Sequence, residues 1–417
     1  MRLDRITVSN FKRIMEMDIA LGDITYIVGG NNSGKSSFLQ AVHMAVSCAQ
    51  RASELGQRII AESRLRYCPT GDFQQLGHVK PYENREDGSR GVIEFYGKTN
   101  DGASASYKIS LYRARNFFNI GIERSGVYPG FGQYICDYNT LFSVYVPGLS
   151  GVSHQEEMQS YSSVFKRAAG GEANLVFRNI IRLINEKKQL SILENFLFQI
   201  MGPIKFRVNF NSEKDFYIDI KVSFEEGFRE SSFVSIDLCG TGILQITQII
   251  AYVILFKPKI LLIDEPDSHL HPSRQARVAK VFENIIADYN CKIVVSTHSR
   301  HMISAAGSDA KIIWLKNGRV EADDARDLTQ MLMDLGALDQ IDKGGAEIII
   351  CTEDKGKYAL DMCVKEMGLG GRISIISYNG VSNASSAVII QEIGSLFSKK
   401  PRIIIHRDRD FLVDQEL

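Results

Sequence analysis

The sequence predicts an α/β protein: a phosphate-loop domain on a parallel sheet with a helical insertion, then a smaller parallel α/β region. Three observations carry this prediction. The apolar run Ile24–Val28 enters a glycine-rich turn, Gly29-Gly30-Asn31-Asn32-Ser33-Gly34-Lys35-Ser36-Ser37, that opens a helix. Two later apolar runs end in Asp264-Glu265 and in Thr297-His298-Ser299, as buried parallel strands do when they deliver polar residues to one edge. From Ala346 onward, apolar strands again alternate with helices.

Gly29 and Gly34-Lys35-Ser36 satisfy G-x-x-x-x-G-K-[ST], a loop whose backbone N–H groups wrap nucleotide phosphates. Gly29, Gly30 and Gly34 are expected to supply backbone angles and close approach. The helix that follows points its positive end at the anion. Lys35 is expected to reach the β- and γ-phosphates of ATP, and the Ser36 hydroxyl to bind Mg²⁺. Asn31, Asn32, Ser33 and Ser37 complete the nucleotide-binding stretch.

Composition bounds the rest. The chain has 417 residues, with 49 basic and 49 acidic side chains and a formal net charge of zero. No global basic field points to nucleic acid, so any such binding needs a local patch. Seven cysteines are scattered without a C-x-x-C pair, which fits free thiols in a reducing cytoplasm. Met1-Arg2-Leu3-Asp4-Arg5 leads straight into an alternating strand, so no signal peptide is expected. The apolar run Ile246–Phe256 contains Thr247 and Gln248 and is too short to span a bilayer.

In chain order, residues 2–9 and about Met15–Ala20 alternate as strands, and the strand into the phosphate loop follows. The next helix carries Phe38, Leu39, Val42, Met44 and Ala45 at helical spacing. Residues 53–89 are polar and broken by proline and glycine. They read as loops with short helices, in which Gln74 or Gln75 is a candidate Mg²⁺- and γ-phosphate-sensing glutamine. Residues 91–96 and 106–113 read as an antiparallel pair. The stretch 128–151 is rich in aromatics and glycine and follows no clear period. Residues 155–200 are mostly helical, broken at Ala168-Ala169-Gly170-Gly171, and too short for long coiled-coil arms. Strands return at Phe206–Phe210 and Phe216–Phe224. Gly240-Thr241-Gly242 then opens a long apolar helix, and Asn317-Gly318 turns a hairpin. Residues 322–344 read as a helical linker.

Asp264 at the end of an apolar strand can hold the Mg²⁺ shell together with Ser36. Glu265 can orient and deprotonate the attacking water. The motif order over residues 1–320 resembles ABC/SMC-type ATPases: Asn10-Phe11-Lys12-Arg13, the phosphate loop, a signature, Ile263-Asp264-Glu265-Pro266, Ser268-His269-Leu270-His271 and His298. That resemblance implies nucleotide contacts from Lys12 and Arg13 and a γ-phosphate sensor at His298. It also implies a signature at Gly240-Thr241-Gly242 that closes on the ATP held by a second subunit, hence a homodimer or higher homo-oligomer. The signature departs from the Leu-Ser-Gly-Gly-Gln string of transporters.

The C-terminal strands Glu347–Cys351, Ile373–Ser377 and Arg402–His406 imply a parallel sheet, with helices at about Tyr358–Met367 and Ala384–Phe397. Glu353, Asp408 and Asp410 follow strand ends and offer an all-oxygen site for Mg²⁺ or Mn²⁺. This region resembles a Toprim domain, and an SMC-like ATPase followed by Toprim resembles the OLD (overcoming lysogenisation defect) family. The expected organisation is an ATPase domain over 1–320 with its insertion at about 153–202, a linker over 321–345 and a Toprim-like domain over 346–417. The domain reads as incomplete, because Leu417 comes seven residues after Asp410, and Asp354 and Lys357 depart from the Toprim pattern. The resemblance implies an ATP-gated nuclease acting on DNA or RNA in antiphage defence. The alternatives are an ATPase scaffold for an effector protein and, more weakly, a DNA-repair ATPase.

Overall fold

A computed structural model describes residues 1–84, 88–148, 151–307, 309–320, 347–352, 358–369, 372–377 and 402–406. The chain divides into two compact units, Met1–Ala322 and Asp323–Leu417.

The first unit begins with the strands β1 (Arg2–Phe11) and β2 (Ile14–Ala20), paired antiparallel, then β3 (Ile24–Val28). Period-two alternation buries Ile6 and Val8 of β1 completely, whereas all five residues of β3 are buried. The first helix, α1 (Lys35–Leu55), follows the phosphate loop. Next come β4 (Ile59–Ala61), β5 (Gly91–Lys98), β6 (Ser104–Arg113), β7 (Asn119–Gly126), α2 (Pro129–Cys136) and β8 (Ser143–Val146). The helical insertion holds α3 (Tyr161–Ala169), α4 (Phe177–Glu186) and α5 (Leu190–Met201). A small antiparallel sheet of β9 (Lys205–Asn209), β10 (Asp219–Ser223) and β11 (Val234–Ser235) leads into α6 (Thr241–Phe256). The unit closes with β12 (Ile260–Asp264), α7 (Pro272–Tyr289), β13 (Lys292–Thr297), α8 (Arg300–Ser304), β14 (Lys311–Lys316) and β15 (Arg319–Val320).

Two six-stranded sheets organise this unit. One is antiparallel in the order β2-β1-β5-β6-β7-β4, and the other runs β15-β14-β3-β13-β12-β8. In the second, β14, β3, β13, β12 and β8 are parallel. Helix α1 packs against strands of both sheets, which explains why it is buried nearly all round. Its buried polar side chains are therefore all engaged, as burial requires. Ser47 Oγ accepts from Tyr67 N, and Gln50 Nε2 donates to the carbonyls of Asp137 and Thr140. His43 lies between Ser143 Oγ (2.8 Å) and the Ala169 carbonyl (3.0 Å). The carbonyl can only accept, so Nε2 carries the proton.

Several strands escaped sequence reading, among them β4 inside the stretch read as loops with short helices. Residues 119–126 form β7, and the unassigned 128–151 stretch holds α2 and β8. Strand β8 is only four residues long, too short to show a period, yet it pairs in parallel with β12.

The second unit contains β16 (Ile348–Thr352), α9 (Tyr358–Glu366), β17 (Ile373–Ser377) and β18 (Arg402–His406). The three strands are parallel in the order β17-β16-β18. The helix expected at Ala384–Phe397 and the linker at 322–344 lie outside the described residues.

Burial pushes the His43 imidazole down to about 4. The native state therefore binds fewer protons than the unfolded chain between about pH 4 and 6.5, and stability falls as pH drops through that window. The whole window corresponds to about 3 kcal/mol. Urea denaturation at pH 4.5 and 7 is expected to show this loss, reduced in His43→Gln. An equal pH dependence in that variant would exclude His43 as its source.

Candidate functional site

The carboxyl ends of β3, β8, β12 and β13 meet at one edge of the parallel sheet, where α/β proteins place their sites. The phosphate loop leaves β3 there. A Cβ on Gly29 would lie 2.2 Å from the Leu315 carbonyl oxygen, so strand β14 permits only glycine at that position. Gly34 has φ +108°, a left-handed value that disfavours other residues. Gly30 differs from expectation: its added Cβ would meet nothing within 4 Å, and its φ is not positive. Its exposed backbone is open to a ligand rather than packed. The Gly318 N–H donates to the Ser33 carbonyl (2.9 Å), so the Asn317-Gly318 hairpin supports the loop from behind. Asn31 and Asn32 are exposed, Ser33 is buried, and Ser37 lies in the first turn of α1.

Lys35 is almost fully buried and donates to the carbonyls of Gly29 (3.0 Å) and Gly30 (3.1 Å). Burial lowers its pKa, while Glu265, Asp264 and Asp267 oppose that shift. A phosphate would offer stronger, charge-assisted acceptors to the same ammonium.

Asp264 is the centre of the cluster. Its Oδ1 accepts from Ser36 Oγ (3.0 Å) and from Ser296 Oγ, and its Oδ2 accepts from Tyr145 Oη (3.0 Å). Tyr145 continues the chain outward: Gln40 Nε2 donates to its hydroxyl (3.3 Å), and Lys12 Nζ donates to Gln40 Oε1 (2.6 Å). Burial and the Asp264 charge both push the Tyr145 phenol up, keeping it a neutral donor. Tyr145 was not visible as a site residue, because its role depends on β8 joining the sheet beside β12. Lys12, expected at the nucleotide, is half-buried against α1. Arg13 is exposed, with Nε 3.4 Å from the Asn32 carbonyl at the rim of the loop.

Glu265 has φ +47°, a costly backbone value for a non-glycine residue. Its N–H is held by the Ser296 carbonyl at 3.1 Å. His298 Nε2 lies 3.3 Å from Glu265 Oε1 and is buried without an aligned hydrogen-bond partner. Burial lowers the His298 pKa, Lys35 adds to that effect, and Glu265 and Asp267 oppose it. Asp267 accepts from Thr297 Oγ1 (2.6 Å), and Gln275 Nε2 donates to the carbonyls of Asp267 and Leu270. The segment after Glu265 is thereby fastened to β13 and α7.

The structure thus brings Lys35, Ser36, Asp264, Glu265 and His298 together. The signature residues stand apart: among the described residues, no hydrogen bond joins them to the phosphate loop. Gly240 and Thr241 are exposed at the start of α6, and Gly242 must be glycine because a Cβ would lie 2.5 Å from the His269 carbonyl oxygen. One turn further on, fully buried Gln245 donates from Nε2 to the Glu265 carbonyl (3.2 Å). Gln74 is not at the site: it is buried and donates to the Phe117 carbonyl (3.2 Å), while Gln75 is exposed. Glu353, Asp408 and Asp410 lie outside the described residues. Among the described residues, no three His, Cys, Asp or Glu side chains form a metal-holding group. A nucleotide-bound Mg²⁺ does not require one, and the hard oxygens of Ser36 and Asp264 fit it.

This edge defines a P-loop ATPase domain. The profile of the AAA ATPase domain family matches residues 1–49 and 169–303, the stretches that supply the loop and the carboxylate strand. Among solved structures, an SMC head bound to the C-terminal winged-helix domain of ScpA matches with a TM-score of 0.50 at 15% identity. That match covers 79% of this chain and 100% of the other. The SMC head domain from Thermotoga maritima matches at 0.44 and 14%, over 78% and 100% of the two chains. An SMC head with an extended coiled coil, from Pyrococcus furiosus, matches at 0.46 and 13%, over 80% and 99%. The match at 0.50 gives the chain an SMC head-like fold. No curated protein sequence matches the chain. No described helix is long and apolar enough to cross a membrane.

Gln245→Ala removes the bond that ties the signature helix to the strained Glu265 backbone. The expected outcome is about a tenfold fall in ATP turnover, with ATP affinity changed by less than about twofold. Steady-state hydrolysis and equilibrium nucleotide binding read the two separately.

Proposed function

We propose that the chain is an ATP-driven dimeric switch. The observation that carries this reading is the split of the expected ATP site. Lys35, Ser36, Asp264, Glu265 and His298 form one half, while Gly240 and Thr241 are presented outward at a helix N-terminus, with Gly242 packed beneath them, suited to an anion held by another subunit. Beside it, Leu238 is 75% exposed, as an apolar group awaiting a partner surface would be.

In this reading the loop N–H groups and Lys35 hold the phosphates, with Arg13 at the rim. Ser36 and Asp264 would hold Mg²⁺, which supplies charge neutralisation between the phosphates when bound. Glu265 takes the proton from the attacking water, and His298 hydrogen-bonds the γ-phosphate. The second subunit's copies of Gly240, Thr241 and Gly242 close over the nucleotide.

The output is proposed to be a metal-dependent Toprim-like nuclease of OLD type acting on DNA or RNA in antiphage defence. The parallel sheet of the second unit supports it: β16 and β18 end level, Thr352 opposite His406. Glu353 follows one end directly in sequence, and Asp408 and Asp410 come soon after the other. Domain limits of 1–320 and 346–417 belong to the same proposal. The departures at Asp354 and Lys357 favour a second reading, a non-catalytic remnant that holds an effector protein.

Glu265→Gln is expected to cut ATP turnover by about 10²- to 10⁴-fold while keeping ATP binding. Light scattering should then show an ATP-dependent dimer, lost on adding Thr241→Glu. A protein that stays monomeric with ATP would overturn the switch. Cleavage of plasmid with Mn²⁺ should disappear in Asp408→Ala/Asp410→Ala; undiminished cutting there would sink the nuclease assignment. Absence of cutting together with a stoichiometric co-purifying protein would favour the effector reading.

A further inference from the structure

A cavity of about 510 Å³ lies in the first unit and shares no lining residue with the phosphate loop, Asp264 or Glu265. It is walled by the second half of α1, the 62–66 turn, the loop after α2 and the start of α3. Its chemistry is one-sided. Arg51, Arg64, Arg66 and Lys166 line it, and no carboxylate does. Arg51 is neutralised from behind by Glu54. Among the described residues, Arg64, Arg66 and Lys166 form no ion pair.

The cations are interleaved with rings. The Arg66 guanidinium carbon sits 3.3 Å from the Tyr138 ring centre and 5.1 Å from that of Phe165. Arg66 Nη1 also donates to the Tyr138 carbonyl (3.1 Å), and Arg51 Nη1 donates to the Tyr138 hydroxyl (3.1 Å). Tyr138 is therefore clamped before any ligand arrives, and Arg66 is a planar cation held in place between two rings. Tyr161 and Phe165 add a second aromatic wall, with centroids 6.1 Å apart. Tyr161 and Ser162 are the first residues of α3, so that helix also directs its positive end toward this wall.

Cations without carboxylates call for an anion, and preset rings call for a flat group to stack. The volume is in the range of small-ligand sites and far exceeds what one phosphate fills. We propose that this cavity binds a nucleotide unit, a phosphate joined to a stackable base, separate from the ATP held by the phosphate loop. Arg64 and Lys166 attract the phosphate, and the Tyr161–Phe165 wall, which the fixed Tyr138–Arg66 pair backs, receives the base. A free nucleotide and a segment of single-stranded nucleic acid present the same chemistry.

The test uses the full chain carrying Lys35→Ala, which weakens the phosphate-loop site. Titration with AMP followed by calorimetry, and with a fluorescein-labelled oligothymidylate followed by anisotropy, separates the two sources. Binding of AMP identifies a free nucleotide; binding of the oligonucleotide alone identifies a strand. Adding Arg64→Glu/Lys166→Glu is expected to weaken whichever binds by at least about tenfold, since both residues are exposed and contribute charge rather than packing. Phe165→Leu should weaken it less, at unchanged salt dependence. Absence of binding by both probes at millimolar concentration, or equal affinity in the charge-reversed variant, overturns the proposal. A melting temperature matching the parent shows that the reversed variant is folded.

Discussion

The carboxylate of Asp264 is the point on which the first unit depends. Three hydroxyls donate to it, from Ser36 at the start of α1, Tyr145 on β8 and Ser296 on β13. A buried charge of this kind is tolerable only when its lone pairs are engaged. Satisfying it aligns four elements from distant parts of the chain at one sheet edge. The same contacts hold Ser36 and Asp264 where a phosphate-bound cation would join them.

Two devices transmit order away from that edge. Inward, α1 lies between the two large sheets, so the phosphate loop at its start is fixed by a helix with almost no solvent face. Sideways, Gln245 joins the first turns of α6 to the carbonyl of Glu265, whose backbone is held at a positive φ. Strain at such a residue persists only where the surroundings impose it. The Gln245 and Ser296 contacts supply that imposition, which places the start of α6 and the Glu265 carboxylate in one mechanical unit. From the other end of the signature segment, Asp237 pairs with the buried Arg178 of the helical insertion. The insertion thus helps to position the surface that faces a partner subunit in the proposed switch.

Much of the first unit was legible because its signals are local. The phosphate loop is contiguous, and the buried strands β12 and β13 carry uninterrupted apolar runs (Ile260–Ile263, Ile293–Val295) ending in polar residues. Asn317-Gly318 marked its hairpin because both residues take positive φ there. Strand β8 was not legible, since four residues carry no period and its aromatic surroundings fit helix, strand or loop equally. Gln74 and Gln75 looked suitable as phosphate-sensing residues, because polar residues in loops advertise no partner.

The sequence by itself determined which residues can do phosphate chemistry: glycines where a Cβ would collide, a lysine and serine at a helix start, and carboxylates at a strand end. Their backbone context is written within a few residues of each. Only the tertiary structure decided that Tyr145 seals Asp264, that Lys12 is tied to Gln40, that Gln245 reaches Glu265, and that basic and aromatic residues from Arg51 to Lys166 wall a common cavity. Those relations join positions up to more than a hundred residues apart. They arise from strand order and helix packing, which local pattern does not encode.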